Sequence, residues 1–410
     1  MGAPRSVVIV GAGQGGCELA AALRGASYDG RVVLVGEEPG LPYERPPLSK
    51  ALLAGEAVAA DLVLRPEAFF RDREIELLDR RRAVTLDRRL RRLELDDGTT
   101  LAYEHLVLAT GARNRTLELP GSELDGVVGL RTLADAIDLR DRLGQAQDVA
   151  IVGAGFIGLE VASVARAADR TVAVFEAAAR PMTRTTSAVT AGFFTEAHRE
   201  RGVELCFGTT VERICGSAGR VSGIIDGEGR RRPAQVVLIA VGVDPNDGLA
   251  AAAGVPVSRG VQVDKHLLSG DPAISAIGDC ARFPSSLWAA PVVLESVQNA
   301  ADQAHAVARR ILGGDAPYTA VPWFWSDQAG ARLQIAGRTA DADEVVLCGE
   351  PDAKRFSALC FIGGRLAGVE SVGRSGDHVA ARRLLASGTP LSPAIAGVAD
   401  FDLKAYARPA

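Results

Sequence analysis

The stretch Gly11-Ala-Gly13-Gln-Gly-Gly16 follows the apolar run Ser6-Val-Val-Ile-Val10, and the pattern recurs as Gly153-Ala-Gly155-Phe-Ile-Gly158 after Asp148-Val-Ala-Ile-Val152. Each stretch opens into a helical pattern. In such a strand–turn–helix unit the first glycine makes a tight turn, the second lets the backbone approach a pyrophosphate, and the third lets the helix pack on the strand. The start of the helix then offers unpaired N–H groups to the phosphates. The sequence therefore predicts two dinucleotide-binding units.

An acidic residue follows the second strand of each unit. Glu37 comes after Arg31-Val-Val-Leu-Val35, and Glu176 comes after Thr171-Val-Ala-Val-Phe175. A carboxylate at this position accepts hydrogen bonds from ribose hydroxyls and repels a 2′-phosphate. Two such units predict two dinucleotides, and one nicotinamide with one flavin is the natural pair, because a hydride needs a source and a receiver.

The order of the patterns predicts an α/β chain with two Rossmann-like nucleotide-binding domains and a C-terminal α+β domain. A β-meander is expected over 81–111, and a similar set of short strands follows the second glycine stretch. After Pro317 and Pro322 the pattern changes to antiparallel strands and one helix. The second unit is either inserted within the first or appended to it. We expect a discontinuous dinucleotide-binding domain over 1–115 and 246–319, a second dinucleotide-binding domain over 116–245 and a C-terminal domain over 320–410.

Composition excludes several classes of protein. The 410 residues are 47% hydrophobic and 24% charged, and the net charge of −5 gives no overall attraction to nucleic acid. No apolar run approaches the ~20 residues that span a bilayer, and the early first strand leaves no room for a signal peptide, so we expect a cytoplasmic protein without membrane contact. The six cysteines form no CxxC pair, which argues against a metal site and against a redox-active disulfide.

The segment Pro42-Tyr-Glu-Arg-Pro-Pro-Leu-Ser-Lys50 is the next most informative. Its prolines restrict the backbone and so direct Lys50, whose charge would stabilise an anionic reduced flavin. Lys50 as a surface residue that opens a helix remains an alternative. Taken alone, Glu160 is explained as a first-turn glutamate favoured by the helix dipole. Trp323 and Trp325 share one face of a strand, which is typical of core residues.

Seven sequence blocks together resemble the FAD-dependent NADH:ferredoxin reductases, and the resemblance covers nearly the whole chain. This resemblance implies a glutathione-reductase-like three-layer architecture. The blocks are VVIVGAG (7–13), PYERPPLSK (42–50), LVLATGAR (106–113), IVGAGFIGLE (151–160), AIGDCARF (277–284), ESVQNA (295–300) and WFWSDQ (323–328).

The resemblance implies that 1–115 with 246–319 is the FAD-binding domain, 116–245 the NAD-binding domain and 320–410 an interface domain. It also implies a role for individual residues. A catalytic Lys50–Glu160 pair near the flavin and Trp325 stacked between flavin and ferredoxin are implied. The implied non-covalent FAD site consists of Gly11, Gly13, Gly15, Glu37, Lys50, Val84, Arg131, Asp279 and Val297. The implied NADH site consists of Gly155, Ile157, Glu176, Arg184 and Gly242. Asp279 as a simple helix N-cap remains an alternative. The absence of an arginine beside Glu176 favours NADH over NADPH, and some use of NADPH remains an alternative because Arg180 and Arg184 lie close in sequence.

The predicted function is NADH:ferredoxin oxidoreductase, with a 2Fe–2S ferredoxin as partner that serves a haem monooxygenase or a ring-hydroxylating dioxygenase. Basic candidates for ferredoxin docking are Arg65, Arg309, Arg310, Arg382 and Arg383. Alternatives are a rubredoxin or nitrite-reductase-type flavoprotein reductase and an NADH-sensing flavoprotein that resembles apoptosis-inducing factor. An NADH oxidase or peroxidase would need a redox cysteine within 42–50, where the sequence has none.

Overall fold

The structure is a computed structural model that describes residues 3–408. The chain forms two compact units, each built from three separate stretches. The first unit contains 3–44, 60–113 and 244–322, and the second contains 45–59, 114–243 and 323–408. The predicted division into three domains stays a prediction, because the second unit groups 114–243 with the C-terminal residues.

The strands are β1 (Ser6–Val10), β2 (Arg31–Val35), β3 (Ile75–Leu78), β4 (Ala83–Asp87), β5 (Arg92–Leu95), β6 (Thr100–Ala102), β7 (His105–Leu108), β8 (Ala112–Asn114), β9 (Val127–Val128), β10 (Asp148–Val152), β11 (Thr171–Glu176), β12 (Val203–Phe207), β13 (Val211–Ser217), β14 (Arg220–Asp226), β15 (Arg231–Arg232), β16 (Val236–Ile239), β17 (Val243–Pro245), β18 (Val261–Gln262), β19 (Ile274–Ala276), β20 (Ala281–Arg282), β21 (Trp323–Gln328), β22 (Ala331–Gly337), β23 (Glu344–Glu350), β24 (Arg355–Ile362) and β25 (Arg365–Val372).

The α-helices are α1 (Gln14–Gly25), α2 (Glu67–Asp72), α3 (Leu133–Gln145), α4 (Phe156–Ala167), α5 (Ala188–Glu200), α6 (Gly248–Ala252), α7 (Val297–Ile311), α8 (Ser375–Ser387), α9 (Pro393–Ala396) and α10 (Leu403–Tyr406). Short 3-10 turns lie at Pro46–Ser49, Ala59–Leu62 and Gly278–Cys280. Among the helices of residues 3–408, none is both long enough and apolar enough to cross a bilayer.

The core of the first unit is a parallel sheet in the order β19-β7-β1-β2-β3. Its central strands are buried on both faces and are almost continuously apolar, as parallel strands are. The antiparallel strands β4-β5-β6 form a meander over 83–102, shorter than the predicted 81–111, because the last expected strand, β7, belongs to the parallel sheet. Helix α7 begins where the side chain of Ser296 accepts the N–H of Asn299 at 3.1 Å, which is an N-cap.

The second unit repeats this topology. Its parallel sheet runs β12-β11-β10-β16-β9. Taken from β3 in the first sheet and from β12 in this one, each sheet begins with the third, second and first strands of its unit. A strand from later in the chain, β7 or β16, comes next. The antiparallel strands β13-β14-β15 form a second three-stranded sheet in this unit. The predicted pair of Rossmann-like folds is confirmed.

The C-terminal part of the second unit is the predicted α+β domain. Its antiparallel sheet runs β21-β22-β25-β24-β23, and α8 packs on it around Ala336, Leu359 and Phe361. Its first two strands, β21 and β22, form a hairpin, which turns at Ala329 and Gly330 with φ values of +48° and +70°. Two consecutive positive φ values are typical of a type I′ turn.

The third glycine of the first fingerprint allows α1 to pack closely against its own turn. A Cβ on Gly16 would lie 2.0 Å from the backbone oxygen of Gly11, which cannot move without opening the turn. Gly25, at the end of the same helix, has nothing within 4 Å of its Cβ position. The two positions therefore test helix propensity and close packing separately.

We expect Gly16→Ala to destabilise the protein by about 1–3 kcal/mol or more, because the added methyl meets backbone rather than a flexible side chain. Gly25→Ala is the matched control and should be neutral or stabilising by up to about 1 kcal/mol, since alanine favours helix. Urea unfolding followed by circular dichroism measures both. Equal stability of the two variants would contradict the packing argument.

Candidate functional site

The first glycine loop leaves space for a phosphate beside the start of α1. Gly11 has a φ of +113°, and a Cβ there would lie 2.1 Å from the carbonyl oxygen of Ala109. Gly13 is the N-cap of α1 without a side-chain cap, and its Cβ position has nothing within 4 Å. Gly15 faces the side chain of Ile277, 3.4 Å from its Cβ position. An uncapped helix start beside open space suits a pyrophosphate.

Other residues of the implied FAD site in the first unit lie on separate elements. Glu37 is exposed just beyond β2, and Asp279 lies in the 3-10 turn that follows β19. Val297 is the first residue of α7. Val84 is 41% exposed on β4. These positions are compatible with a ligand, and their contacts with FAD stay a prediction.

The second glycine loop has the same geometry in the second unit. Gly153 has a φ of +106°, with its Cβ position 2.4 Å from the oxygen of Ala240. Gly155 is the uncapped N-cap of α4 and again has nothing within 4 Å. A Cβ on Gly158 would lie 2.1 Å from the oxygen of Gly153, and Ile157 is 42% exposed. The residues present therefore fit a second dinucleotide.

Glu176 and Arg184 flank this second loop. The Glu176 carboxylate accepts the N–H of Ala154 and the N–H of Ala178, each at 2.9 Å. It therefore lies directly at the turn, and its oxygens have further lone pairs for ribose hydroxyls. The Arg184 guanidinium is 3.2 Å from the Cβ position of Gly242. The structure therefore brings Arg184 and Gly242, both predicted NADH residues, together.

A buried carboxylate joins three of the quoted sequence blocks in the second unit. Glu160 is 2% exposed and accepts hydrogen bonds from Ser49 Oγ at 2.5 Å, Lys50 Nζ at 2.7 Å and Ser326 Oγ at 2.6 Å. Lys50 also donates to the carbonyl of Pro46 at 3.3 Å. The predicted Lys50–Glu160 contact therefore exists in the structure.

Two simpler explanations from the sequence are wrong. Glu160 is not a first-turn glutamate, because α4 begins at Phe156 and the first turn of α4 contains no acidic residue. Lys50 does not open a helix. It follows the 3-10 turn Pro46–Ser49, and its side chain is 21% exposed. Both side chains owe their place to each other rather than to a helix terminus.

The hydrogen bonds continue from Glu160 into the interior. Ser326 Oγ accepts from Gln328 Nε2 at 3.1 Å, and Gln328 Oε1 lies 2.9 Å from Nε2 of His198 on α5. Burial lowers the pKa of His198. Because the amide oxygen of Gln328 can only accept, Nε2–H of His198 donates to it. Ser326 Oγ thus donates to Glu160 and accepts from Gln328, so a line of hydrogen bonds connects His198 to the buried carboxylate.

Strand β21 supplies these polar groups by alternation. Ser326 and Gln328 lie on the face that also carries Phe324, whose ring centroid is 4.3 Å from that of Phe156 on α4. The N–H of Ala329 donates to Ser163 Oγ at 2.9 Å. Sequence reasoning missed Ser49 and Ser326 as carboxylate partners. For Ser326, the one signal was the alternation of polar residues on a half-buried strand.

The opposite face of β21 carries the two tryptophans. Their ring centroids are 5.8 Å apart, and the Arg382 guanidinium lies 4.7 Å from the Trp323 ring centroid.

Arg131, a residue of the implied FAD site, precedes α3, and its backbone N–H donates to Asp135 at 3.0 Å. The roles implied for Trp325 toward ferredoxin and for Arg131 toward FAD stay predictions.

One docking candidate is corrected by the structure. The Arg310 guanidinium donates to Ser275 Oγ at 2.5 Å and lies 3.2 Å from Nε2 of His105, and burial lowers its pKa to about 10. A group held in this way is not presented to a partner. Arg309 and Arg383 are exposed and remain candidates.

The cysteines offer no dithiol. All six are free, and burial raises the pKa of Cys17 to about 12 and also raises the pKa of Cys280. Thiols in these surroundings are protonated and poor nucleophiles. Within residues 3–408, no group of His, Cys, Asp and Glu side chains is arranged to hold a metal ion.

Comparison with known proteins gives consistent relatives. Rhodocoxin reductase of Rhodococcus erythropolis is 47% identical over 97% of this chain and 93% of its own length. The crystal structure of the ferredoxin reductase for the CYP199A2 system of Rhodopseudomonas palustris has a TM-score of 0.96 and 45% identity over 98% of this chain and all of that chain. The covalent putidaredoxin reductase–putidaredoxin complex has a TM-score of 0.94 and 36% identity over 98% and 97% of the two chains.

Family models cover most of the sequence. Residues 5–304 match the pyridine nucleotide-disulphide oxidoreductase model, and residues 323–407 match the reductase C-terminal model. Because the family model matches residues 5–304 and the relatives above match over 93% or more of their own length, the chain belongs to the pyridine nucleotide-disulphide oxidoreductase family.

Proposed function

We propose that this chain is an NADH:ferredoxin oxidoreductase. Bound FAD supplies the redox chemistry, because it accepts a hydride from NADH and releases electrons singly to a 2Fe–2S ferredoxin that serves a haem monooxygenase or a ring-hydroxylating dioxygenase. The similarity to reductases named for rhodocoxin, putidaredoxin and a CYP199A2 system supports this assignment. We place the reaction in the cytoplasm.

One observation carries the proposal: the chain has two dinucleotide sheets but no pair of cysteines that could take electrons from a flavin. All six thiols are free, and burial keeps Cys17 and Cys280 protonated. Electrons from the flavin therefore have no dithiol acceptor within residues 3–408, and an external one-electron carrier is the natural acceptor.

The proposed sites follow the two glycine loops. We assign FAD to the first unit and NADH to the second. The FAD residues of the first unit are Gly11, Gly13, Gly15, Glu37, Val84, Asp279 and Val297. The NADH residues are Gly155, Ile157, Glu176, Arg184 and Gly242. The proposed role of Lys50 is to supply positive charge when the flavin becomes reduced, with Glu160 holding its ammonium in place.

The function is tested by NADH-driven cytochrome c reduction with a panel of purified electron carriers. We expect the rate to depend strongly on a 2Fe–2S ferredoxin, because cytochrome c lacks direct access to a reductase that is specific for its carrier. Equal or greater stimulation by a rubredoxin would favour the rubredoxin-reductase alternative. A long-lived reduced complex with NAD that no carrier reoxidises would favour the NADH-sensing alternative.

Removal of the Lys50 charge should slow flavin reduction. We expect Lys50→Ala to lower the rate by about tenfold or more, the scale on which preorganised charges act, while FAD stays bound. Stopped-flow bleaching of the flavin under anaerobic NADH measures this rate. Lys404→Ala removes an exposed lysine of the same unit and is the matched control.

The double variant Lys50→Ala/Glu160→Gln separates two causes of slow reduction. Lys50→Ala alone leaves the Glu160 carboxylate buried with two hydroxyl donors, which is costly. If that stranded charge is responsible, the double variant should recover the rate. If the flavin needs the Lys50 charge, the double variant should stay slow. An unchanged rate in Lys50→Ala removes this residue from the mechanism.

Glu176 should set the preference for NADH. We expect Glu176→Ala to raise the KM for NADH about tenfold, as loss of a charged hydrogen bond does, and to raise the KM for NADPH less, because the carboxylate repels the 2′-phosphate. Steady-state ferricyanide reduction measures both constants. Glu37→Ala, at the matching position of the first fingerprint, should leave the KM for NADH unchanged. An equal rise for both coenzymes in Glu176→Ala would contradict the assignment.

A further inference from the structure

The segment between β11 and α5 lies against the second glycine loop. We define the coenzyme segment as residues 180–187, which carry Arg184 and have no regular secondary structure. The N–H of Met182 donates to the carbonyl oxygen of Ala154 at 3.0 Å, and the Arg184 guanidinium lies beside Gly242. The position of this segment therefore decides where the Arg184 charge lies.

The C-terminal sheet and the loop after β22 hold the coenzyme segment at three points. Thr339 Oγ1 donates to the carbonyl of Thr185 at 2.9 Å. Gln328 Nε2 lies 3.6 Å from Sδ of Met182. The third contact is the strongest, because the Glu370 carboxylate accepts both the N–H and the O–H of Ser187, each at 2.6 Å.

Glu370 is a buried carboxylate with an unusual set of partners. It lies on β25 with 0% exposure, and within residues 3–408 no Lys, Arg or His forms an ion pair with it at salt-bridge distance. Its carboxylate accepts two hydrogen bonds from Ser187, one on each oxygen. Burial of an ionised carboxylate is costly unless hydrogen bonds compensate it, and an apolar pair would join the two elements at lower cost.

The location of the contacts indicates what the carboxylate is for. Ser187 is the N-cap of α5, and its side chain also accepts the N–H of Thr190 at 3.4 Å. Glu370 thus fixes the residue at which the coenzyme segment ends and the helix begins. Thr339 fixes the backbone one residue after Arg184. These contacts lie within three residues of Arg184 and at the start of α5. They therefore restrict the position of Arg184 and have little influence on the far end of the helix.

We propose that Glu370 is a positioning residue for NADH: through Ser187 it holds the coenzyme segment, and with it Arg184, in the geometry that binds the coenzyme. This inference rests on the proposed role of Arg184. It assigns the C-terminal domain a part in coenzyme affinity, in addition to any part in contact with the electron carrier.

The primary test is Glu370→Gln, which keeps the shape but places an NH₂ group against two donors. We expect the KM for NADH to rise about five- to tenfold, the factor for one displaced contact, while kcat at saturating NADH with ferricyanide and the FAD content stay at the wild-type level. Glu344→Gln, exposed on β23 of the same sheet, is the control and should change neither constant.

Two further variants test the route of the effect. Ser187→Ala removes the hydroxyl donor, and the double variant with Glu370→Gln should raise KM by less than the product of the single effects, because both changes break one contact. Thr339→Val removes the hydroxyl that donates to the carbonyl of Thr185 and keeps the side-chain volume. It should raise the KM for NADH in the same direction, and it decides the proposal if Glu370→Gln does not fold.

Arg184→Ala separates this proposal from the proposed function. If Arg184→Ala raises the KM for NADH but Glu370→Gln and Thr339→Val leave it unchanged, the positioning role is wrong and the NADH site stands. If Arg184→Ala has no effect while Glu370→Gln raises KM, the assignment of Arg184 is wrong and the segment binds through other atoms. A fall in kcat and FAD content with constant KM would make Glu370 purely structural and overturn the proposal.

Discussion

The buried carboxylate of Glu160 is the interaction on which the second unit depends. A carboxylate that is 2% exposed costs several kcal/mol to remove from water unless charged and hydrogen-bonding partners replace the solvent. Its partners Ser49, Lys50 and Ser326 come from stretches 110 to 166 residues away in sequence. The 3-10 turn, the glycine-loop helix and the first C-terminal strand must therefore all be in place before the charge is satisfied. This requirement couples three parts of the chain that local sequence leaves independent.

The two nucleotide units show how one fold is adapted to two tasks. Their glycine loops have nearly the same close contacts, yet the carboxylates in matching helix positions differ in partner. Glu18 of α1 lies 3.3 Å from Arg65, with exposed fractions of 16% and 37%. Glu160 of α4 lies 2.7 Å from Lys50 and is almost fully buried. The first pair is a partly exposed ion pair of small energetic value, whereas the second holds a directed ammonium group.

The sequence predicted what local patterns encode. Strands Ser6–Val10 and Asp148–Val152 have the predicted bounds, and both glycine loops have the predicted turn because each residue there has a local steric reason. It did not predict partners such as Ser326 and Glu370, because a polar residue on a strand reads the same whether it faces solvent or a distant carboxylate. Arg310 was misjudged for the opposite reason: its charge suggested exposure, although its spacing from Val307 and Gln303 places it on the buried stripe of α7.

Buried polar groups in the C-terminal sheet fix the orientation of the groups they bind, and they add little stability. Glu370 on β25 and Ser326 and Gln328 on β21 are all at most 2% exposed, and well-packed apolar residues at such positions are often at least as stabilising. Dispersion contacts, however, tolerate rotation and small slips, whereas a hydrogen bond fixes both distance and angle. The chain uses these bonds where orientation matters: at Glu160, which holds an ammonium group, and at Ser187, which ends the segment that carries an arginine. The sheet therefore bonds to the carboxylate that pairs with Lys50 and to the segment that carries Arg184.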